Sequence, residues 1–338
     1  MRNSHFGLTL VAGLALGGAA SAEQMTFSHF VPATHQVHHA TEMWAGSIKE
    51  ASGGALEVRI FPAQQLGKAQ DHYDMIASGQ VNAGWFVPGY AAGRFPIVDA
   101  GELPFMVTDA PKGARALHEW YAGIAEEEMK EIRFCAFLTH DPGRIHTNKL
   151  VETVEEMKGF KIRPANATIG NYLAALGAVP VNLAAPEARQ GVERGVVDGV
   201  TFPWNTIINF GIADATTYHL DIPLYVPMAM YGINRSYYDG LSPELQTVID
   251  DHCNAGWSEQ LSADWANWEI EGRKILEEKG GHIFTEVSKD AMQPWVDAAQ
   301  GVYDAWSKNV AAKYPDRDPQ AILADLKARL AEAGAGGS

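Results

Sequence analysis

Residues 160–183 read FKIRPANATIGNYLAALGAVPVNL, and the architecture can be read from this stretch. Phe160 to Arg163 is a short strand closed by Pro164, and Asn166 is placed to cap the next helix. Ala167 to Leu176 has helical spacing and stops at Gly177, whose freedom at positive φ suits a helix end. Val179 to Leu183 returns to strand. Glu187 to Arg194 is then a second helix, ended by Gly195, and Val196 to Phe202 a third strand. The order is β-α-β-α-β.

The same order occurs upstream. Met25 to Phe30 reads as a strand, and Thr34 as the cap of a helix with the apolar stripe Val37, Ala40, Trp44, Ile48 and Ala51, stopped by Gly53-Gly54. Leu56, Val58 and Ile60 alternate with Glu57 and Arg59 as a half-buried strand. A helix comes next over Lys68 to Ser78, then a strand over Val81 to Val87. The two units share order without sharing sequence. They predict an α/β protein of two parallel sheets wrapped by helices. Ligands of such sheets sit beyond the carboxyl ends of the strands, so two facing lobes make a cleft that closes by hinge motion. Downstream, Leu241-Ser242-Pro243-Glu244 opens a long helical region reaching about Lys279, where Trp257, Trp265 and Trp268 read as packing residues. Residues 331–338 read as a flexible tail.

The chain has 338 residues, 46% hydrophobic and 20% charged, which is ordinary globular composition and excludes general disorder. A net charge of −15 with no basic run leaves nothing to neutralise phosphates, so nucleic acid and anionic membranes are poor partners. Arg2, the largely apolar run Phe6 to Ala20 and the small residues Ala20-Ser21-Ala22 read as a cleavable secretory leader over residues 1–22. No later stretch offers the roughly 18 apolar residues of a membrane span. Glu23, rather than a cysteine, stands after the cleavage point, against a lipoprotein. The expectation is an exported protein, periplasmic in a Gram-negative bacterium and not membrane-embedded. Cys135 and Cys253 can pair in such a compartment, although an apolar strand and a helical stretch also suit two buried thiols.

Signatures of catalysis are sparse: no G-x-S-x-G, no G-x-x-x-x-G-K-[ST], no H-E-x-x-H and no strand-linked G-x-G-x-x-G. His35, His38 and His39 cluster at the start of the first helix, but no further metal ligands are nominated, and His35 is expected to look into the cleft. No cofactor or metal is expected. Arg163 is the leading functional residue, because a strand-end arginine beside a helix N-terminus supplies a two-pronged donor next to unpaired N–H groups, an anion site. Arg144 sits where the chain passes from the first unit to the second and is a second candidate.

Six segments then carry a resemblance: Phe27-Ser28-His29-Phe30-Val31-Pro32, Phe61-Pro62-Ala63-Gln64-Gln65-Leu66-Gly67, Ser78-Gly79-Gln80-Val81-Asn82-Ala83, Met157 to Arg163, Leu176 to Val181, and Glu193 to Gly199. In this order they resemble the solute-binding subunits of tripartite ATP-independent periplasmic (TRAP) transporters, of the dicarboxylate-binding type. The resemblance implies two α/β lobes joined by crossing strands and a long helix. The lobes are residues 23–140 with about 227–265, and 141–226 with about 266–330. It also implies that Arg163 clasps a ligand carboxylate and that Arg144 adds a contact. Where many relatives carry polar residues ending in Asn-Pro, this chain has Val200-Thr201-Phe202-Pro203-Trp204. That puts Phe202 and Trp204 near the pocket and favours an acid with an apolar or aromatic body over a sugar acid. Trp85, Phe86 and Tyr90 would wall the other side, with Asn166, Asn205, Tyr225 and Met228 as further pocket candidates. The implied function is capture of a small organic acid for the small and large TRAP membrane subunits. A secreted hydrolase or lyase of organic acids and a sensory binding module are the alternatives.

Overall fold

The computed structural model describes residues 22–336, and the leader reading of 1–22 falls, Ala22 apart, outside them. Eleven strands are described: β1 (Glu23–Ser28), β2 (Leu56–Phe61), β3 (Ala83–Phe86), β4 (Ile132–Phe137), β5 (Gly143–Thr147), β6 (Lys161–Arg163), β7 (Val179–Pro180), β8 (Gly199–Phe202), β9 (Tyr218–Tyr225), β10 (Met230–Asn234) and β11 (Ile283–Glu286). They form two sheets, in the orders β2-β1-β3-β10-β4 and β11-β9-β5-β8-β6-β7. Within each β-α-β-α-β unit pairing is parallel, β1 with β2 and β3, and β6 with β7 and β8. The expectation of wholly parallel sheets fails where the chain changes sheets. It leaves the first sheet after β4 and comes back as β10, antiparallel to β3 and β4, while β5 runs antiparallel to β8 and β9. Parallel pairing is enforced only by a strand-helix-strand crossover, and these strands arrive by crossing between lobes.

Local chemistry sets the element ends. The first helix, Gln36–Ala51, buries Val37, Ala40, Trp44 and Ile48, but His35 rather than Thr34 caps it, its ring nitrogen accepting from the Val37 N–H. Asn166 caps the helix Ala167–Ala175 as expected, accepting from the Ile169 N–H at 2.8 Å. The region after Leu241 is divided into Pro243–Asp251 and Ala255–Lys279, capped by Ser242 and Asn254. The second of these packs on helices Gln36–Ala51 and Ala110–Glu128 and also on Trp204–Asn209, so it ties the two sheets' sides together. Gly272 permits that approach, because a Cβ there would lie 2.3 Å from the Asn205 nitrogen.

Two further expectations are corrected. Cys135 on β4 and Cys253 in the break before the long helix are joined as a disulfide across 118 residues, not two separate thiols. Residues up to Gly336 are held rather than loose: the Thr108 N–H donates to the Ala335 carbonyl at 2.8 Å, and Ala335 is buried. Helix Pro319–Glu332 packs on Ala110–Glu128. Helix Gln293–Lys313 lies on Ala167–Ala175 and also reaches across, the Trp306 indole donating to the Pro96 carbonyl.

The disulfide closes a long loop in the unfolded chain, which is where such a bond stabilises. Cys135→Ser with Cys253→Ser is expected to lower the unfolding free energy by roughly 2–5 kcal/mol, read by denaturant titration. An unshifted midpoint would show that the loop was already constrained.

Candidate functional site

Arg163 ends β6, and its guanidinium is drawn under the strand ends with 1% of its surface exposed. Nε donates to the Leu183 carbonyl at 2.9 Å, Nη1 to the Thr201 carbonyl at 3.3 Å and Nη2 to the Tyr90 hydroxyl at 3.3 Å. The Phe202 ring lies beneath, 4.3 Å from Cζ. All these partners are neutral, and no carboxylate pairs with this cation among the described residues. A buried cation so arranged is solvated by dipoles and a π face without being neutralised.

The guanidinium borders a small cavity walled mostly by aromatic side chains. Phe30, Trp85 and Tyr90 come from the first sheet's side; Phe202 and Phe210 come from the second's. Trp265 from the long helix and Tyr225 and His140 from the two crossings complete the wall. The rings are packed on one another: Phe30 against Trp85 with centroids 4.6 Å apart, and Trp265 against His140 at 4.8 Å.

One polar network crosses the chamber wall. His35 Nδ1 accepts the Val37 N–H, so Nε2 carries the hydrogen and donates to Thr206 Oγ1 at 3.1 Å. Thr206 Oγ1 in turn donates to Glu269. That buried carboxylate also accepts the Trp265 indole N–H at 2.7 Å and the backbone N–H groups of Asn205 and Thr206 at 2.7 and 2.9 Å. Four donors on one carboxylate lock the long helix to the start of helix Trp204–Asn209.

Of the twelve residues singled out from sequence, the cavity gathers Arg163, Phe202, Asn166, Trp85, Tyr90, His35 and Tyr225. Five lie elsewhere. Arg144 is held by Asp141 at 2.9 Å and Asp221 at 3.0 Å, in a separate depression with Trp204 and Arg273, so its charge is already neutralised. Phe86 alternates with Trp85 along β3 and packs on Tyr73, 5.4 Å between centroids. Thr206 and Phe210, four apart, are the helix face that meets the cavity. Trp204 lies off that face against His146 and His219, and the Asn205 amide donates to the Trp268 carbonyl. Met228 is buried against Gly101. Sequence reasoning missed Phe30, His140, Thr206, Phe210 and Glu269, and took Trp265 for packing alone. Phe30 lay inside a quoted segment, but the others had no local signal. His35, His38 and His39 do not act together: His38 meets His29 at 2.9 Å, and His39 is on the surface with Glu42.

Known proteins share this fold. The family model for DctP, the bacterial extracellular solute-binding proteins of family 7, matches residues 27–309. The chain is 25% identical to the 2,3-diketo-L-gulonate-binding periplasmic protein YiaO of Escherichia coli K12, over 83% of this chain and 87% of that protein. It is 28% identical to a TRAP solute-binding protein from Rhodoferax ferrireducens T118 solved with copurified benzoate, with a TM-score of 0.87 and coverage of 92% and 98% of the two chains. A TRAP solute-binding protein of an unidentified marine microbe, specific for aromatic acids and solved with 3-hydroxybenzoate, is also 28% identical, with a TM-score of 0.87 over 93% and 99%. Among the described residues no helix is long and apolar enough to cross a membrane.

Burial also governs titration around the site. It pushes His140, on the wall, and His146 down to about 3, and His219 down to about 2, with neighbouring cations and imidazoles adding to the effect. Below the ordinary histidine value of 6.5 the unfolded chain binds protons that these folded imidazoles refuse, so their contribution to stability is lost as pH falls from 6.5 toward 3. Burial pushes Glu269 up to about 7, which acts in the opposite sense between about 4.5 and 7. Unfolding at pH 5 should therefore take up a proton at His219, and His219→Asn should lower the total uptake by about one. Calorimetry in buffers of different ionisation enthalpy reads this, and an unchanged uptake would place a protonated His219 in the folded protein.

Proposed function

Because the chain belongs to the bacterial extracellular solute-binding proteins of family 7, we propose that its cavity captures a small organic acid with an aromatic or apolar body for delivery to TRAP membrane subunits. The leader, cleaved after Ala22, takes it to the periplasm. The two sheets with their helices act as lobes, 23–140 with 227–265 and the C-terminal helix, and 141–226 with the rest. They close over the ligand, and the membrane subunits receive the closed form.

The single observation carrying this reading is the Arg163 guanidinium, buried at one end of an aromatic chamber without an acid to pair with. A carboxylate entering there gains charge-assisted bonds in a low-dielectric setting and meets a cation that is already desolvated. The benzoate and 3-hydroxybenzoate carried by the two structural relatives have that form, one carboxylate on a flat ring. Phe202 has two effects: its face supports the guanidinium, and it presents apolar area where a polar side chain would offer hydrogen bonds.

Arg163→Ala is expected to weaken benzoate binding by roughly 3–5 kcal/mol, the scale of removing a buried charge from its partner. Titration calorimetry measures it, near-native affinity would remove Arg163 from the site, and the recovered benzoate should be chemically unaltered. Phe202→Asn should shift the preference from benzoate toward hydroxylated aliphatic acids. A ligand profile identical to the unmodified protein's would show that this ring does not set selectivity.

A further inference from the structure

We propose that the Tyr90 hydroxyl is a third donor to the bound carboxylate, reaching it from the lobe opposite Arg163, an inference that rests on the carboxylate reading above. It comes from accounting for hydrogens. A guanidinium carries five N–H groups, and Arg163 uses three, one each on Nε, Nη1 and Nη2. One N–H remains on each terminal nitrogen. A tyrosine hydroxyl has two lone pairs and one hydrogen. Tyr90 Oη receives the Arg163 Nη2–H at 3.3 Å and the Ala185 N–H at 3.4 Å, which occupies both lone pairs. Its own hydrogen has no acceptor among the described residues, and the side chain borders the Arg163 cavity.

The position of Tyr90 is fixed by backbone. It ends the turn Pro88-Gly89-Tyr90 after β3, and that turn presses against the other lobe at Gly89, where a Cβ would lie 2.6 Å from Asn166 Cβ. Both groups that orient the hydroxyl, Arg163 and Ala185, belong to the second lobe, whereas Tyr90 belongs to the first. The hydroxyl therefore points its hydrogen correctly only when the lobes are together. An acceptor that takes both free N–H groups and the O–H must accept three times and donate nothing. An ionised carboxylate meets that requirement. A primary amide of the same shape turns an NH₂ toward the same donors and is rejected.

Calorimetry at pH 7 with benzoate, 3-hydroxybenzoate and benzamide, on the full mature chain and on Arg163→Ala and Tyr90→Phe, tests the assignment. Benzamide should bind poorly to the unmodified chain. Tyr90→Phe should bind the two acids roughly 10- to 100-fold more weakly, the range for losing a hydrogen bond to a charged group. Native acid affinity in Tyr90→Phe together with a loss in Arg163→Ala overturns the role of Tyr90 and leaves the carboxylate reading standing. No binding of either acid to the unmodified chain overturns both. Should Tyr90→Phe not fold, 3,5-difluorotyrosine at position 90 keeps the ring and ionises near neutrality. Acid affinity should then fall as pH rises through that ionisation, while the unmodified chain shows no such fall, and a flat profile overturns the proposal.

Discussion

The site depends on keeping a guanidinium out of water without giving it an acid. Burying a cation costs several kcal/mol even after relaxation, and proteins ordinarily recover this by pairing it. At Arg163 the recovery is partial: two carbonyls, a hydroxyl and the face of Phe202 hold the side chain and leave two N–H groups unsatisfied. Arg144 shows the other outcome for the same residue type. Burial opposes its charge as well, but Asp141 and Asp221 neutralise it, and its depression has no free cation to offer. What separates the unpaired arginine from the paired one here is which side chains surround it.

That contrast also marks where the sequence was legible. The two β-α-β-α-β units, the Asn166 cap and the strand-end position of Arg163 are local facts, written in period, glycine stops and a proline. Arg144 ranks second in the sequence yet still passes for a ligand contact, because Asp221, one of the two acids that neutralise it, is 77 residues away and reaches it only after β9 pairs with β5. The Thr206–Glu269 contact spans 63 residues, and the disulfide 118. Trp85 and Phe86 pose a subtler difficulty. β3 is buried on both faces, so no polar alternation reveals which ring faces the chamber. Trp265 sits at a helical spacing that suits core packing, and in this protein the core and the binding wall are the same surface.

An acidic chain binds acids here because range and burial act on different charges. A net charge of −15 repels an anion at long range, yet exposed charges are screened over about 8–10 Å at physiological salt. Inside the chamber the aromatic wall lowers the dielectric, and the nearby unpaired cation outweighs the distant excess of carboxylates. Selection of ligand is therefore set by a few donors and by the shape of the wall, not by the protein's overall field.

The contacts crossing the chamber suggest how capture can stay reversible. His35 to Thr206 and Tyr90 to Arg163 and Ala185 are hydrogen bonds with a neutral group on at least one side, at 3.1 to 3.4 Å. The ion pairs of Arg144, by contrast, lie along one lobe and its crossing, and the pair of Arg317 with Glu127, which joins the two sides, is solvent-exposed and does not border the chamber. Contacts of this kind contribute little beyond the bonds to water that they replace. A bound anion would add the charge pairing that the protein withholds, so the closed arrangement is favoured with ligand present and only weakly without it. A strong built-in ion pair across the gap would hold the lobes shut whether occupied or not, which would defeat both loading and release.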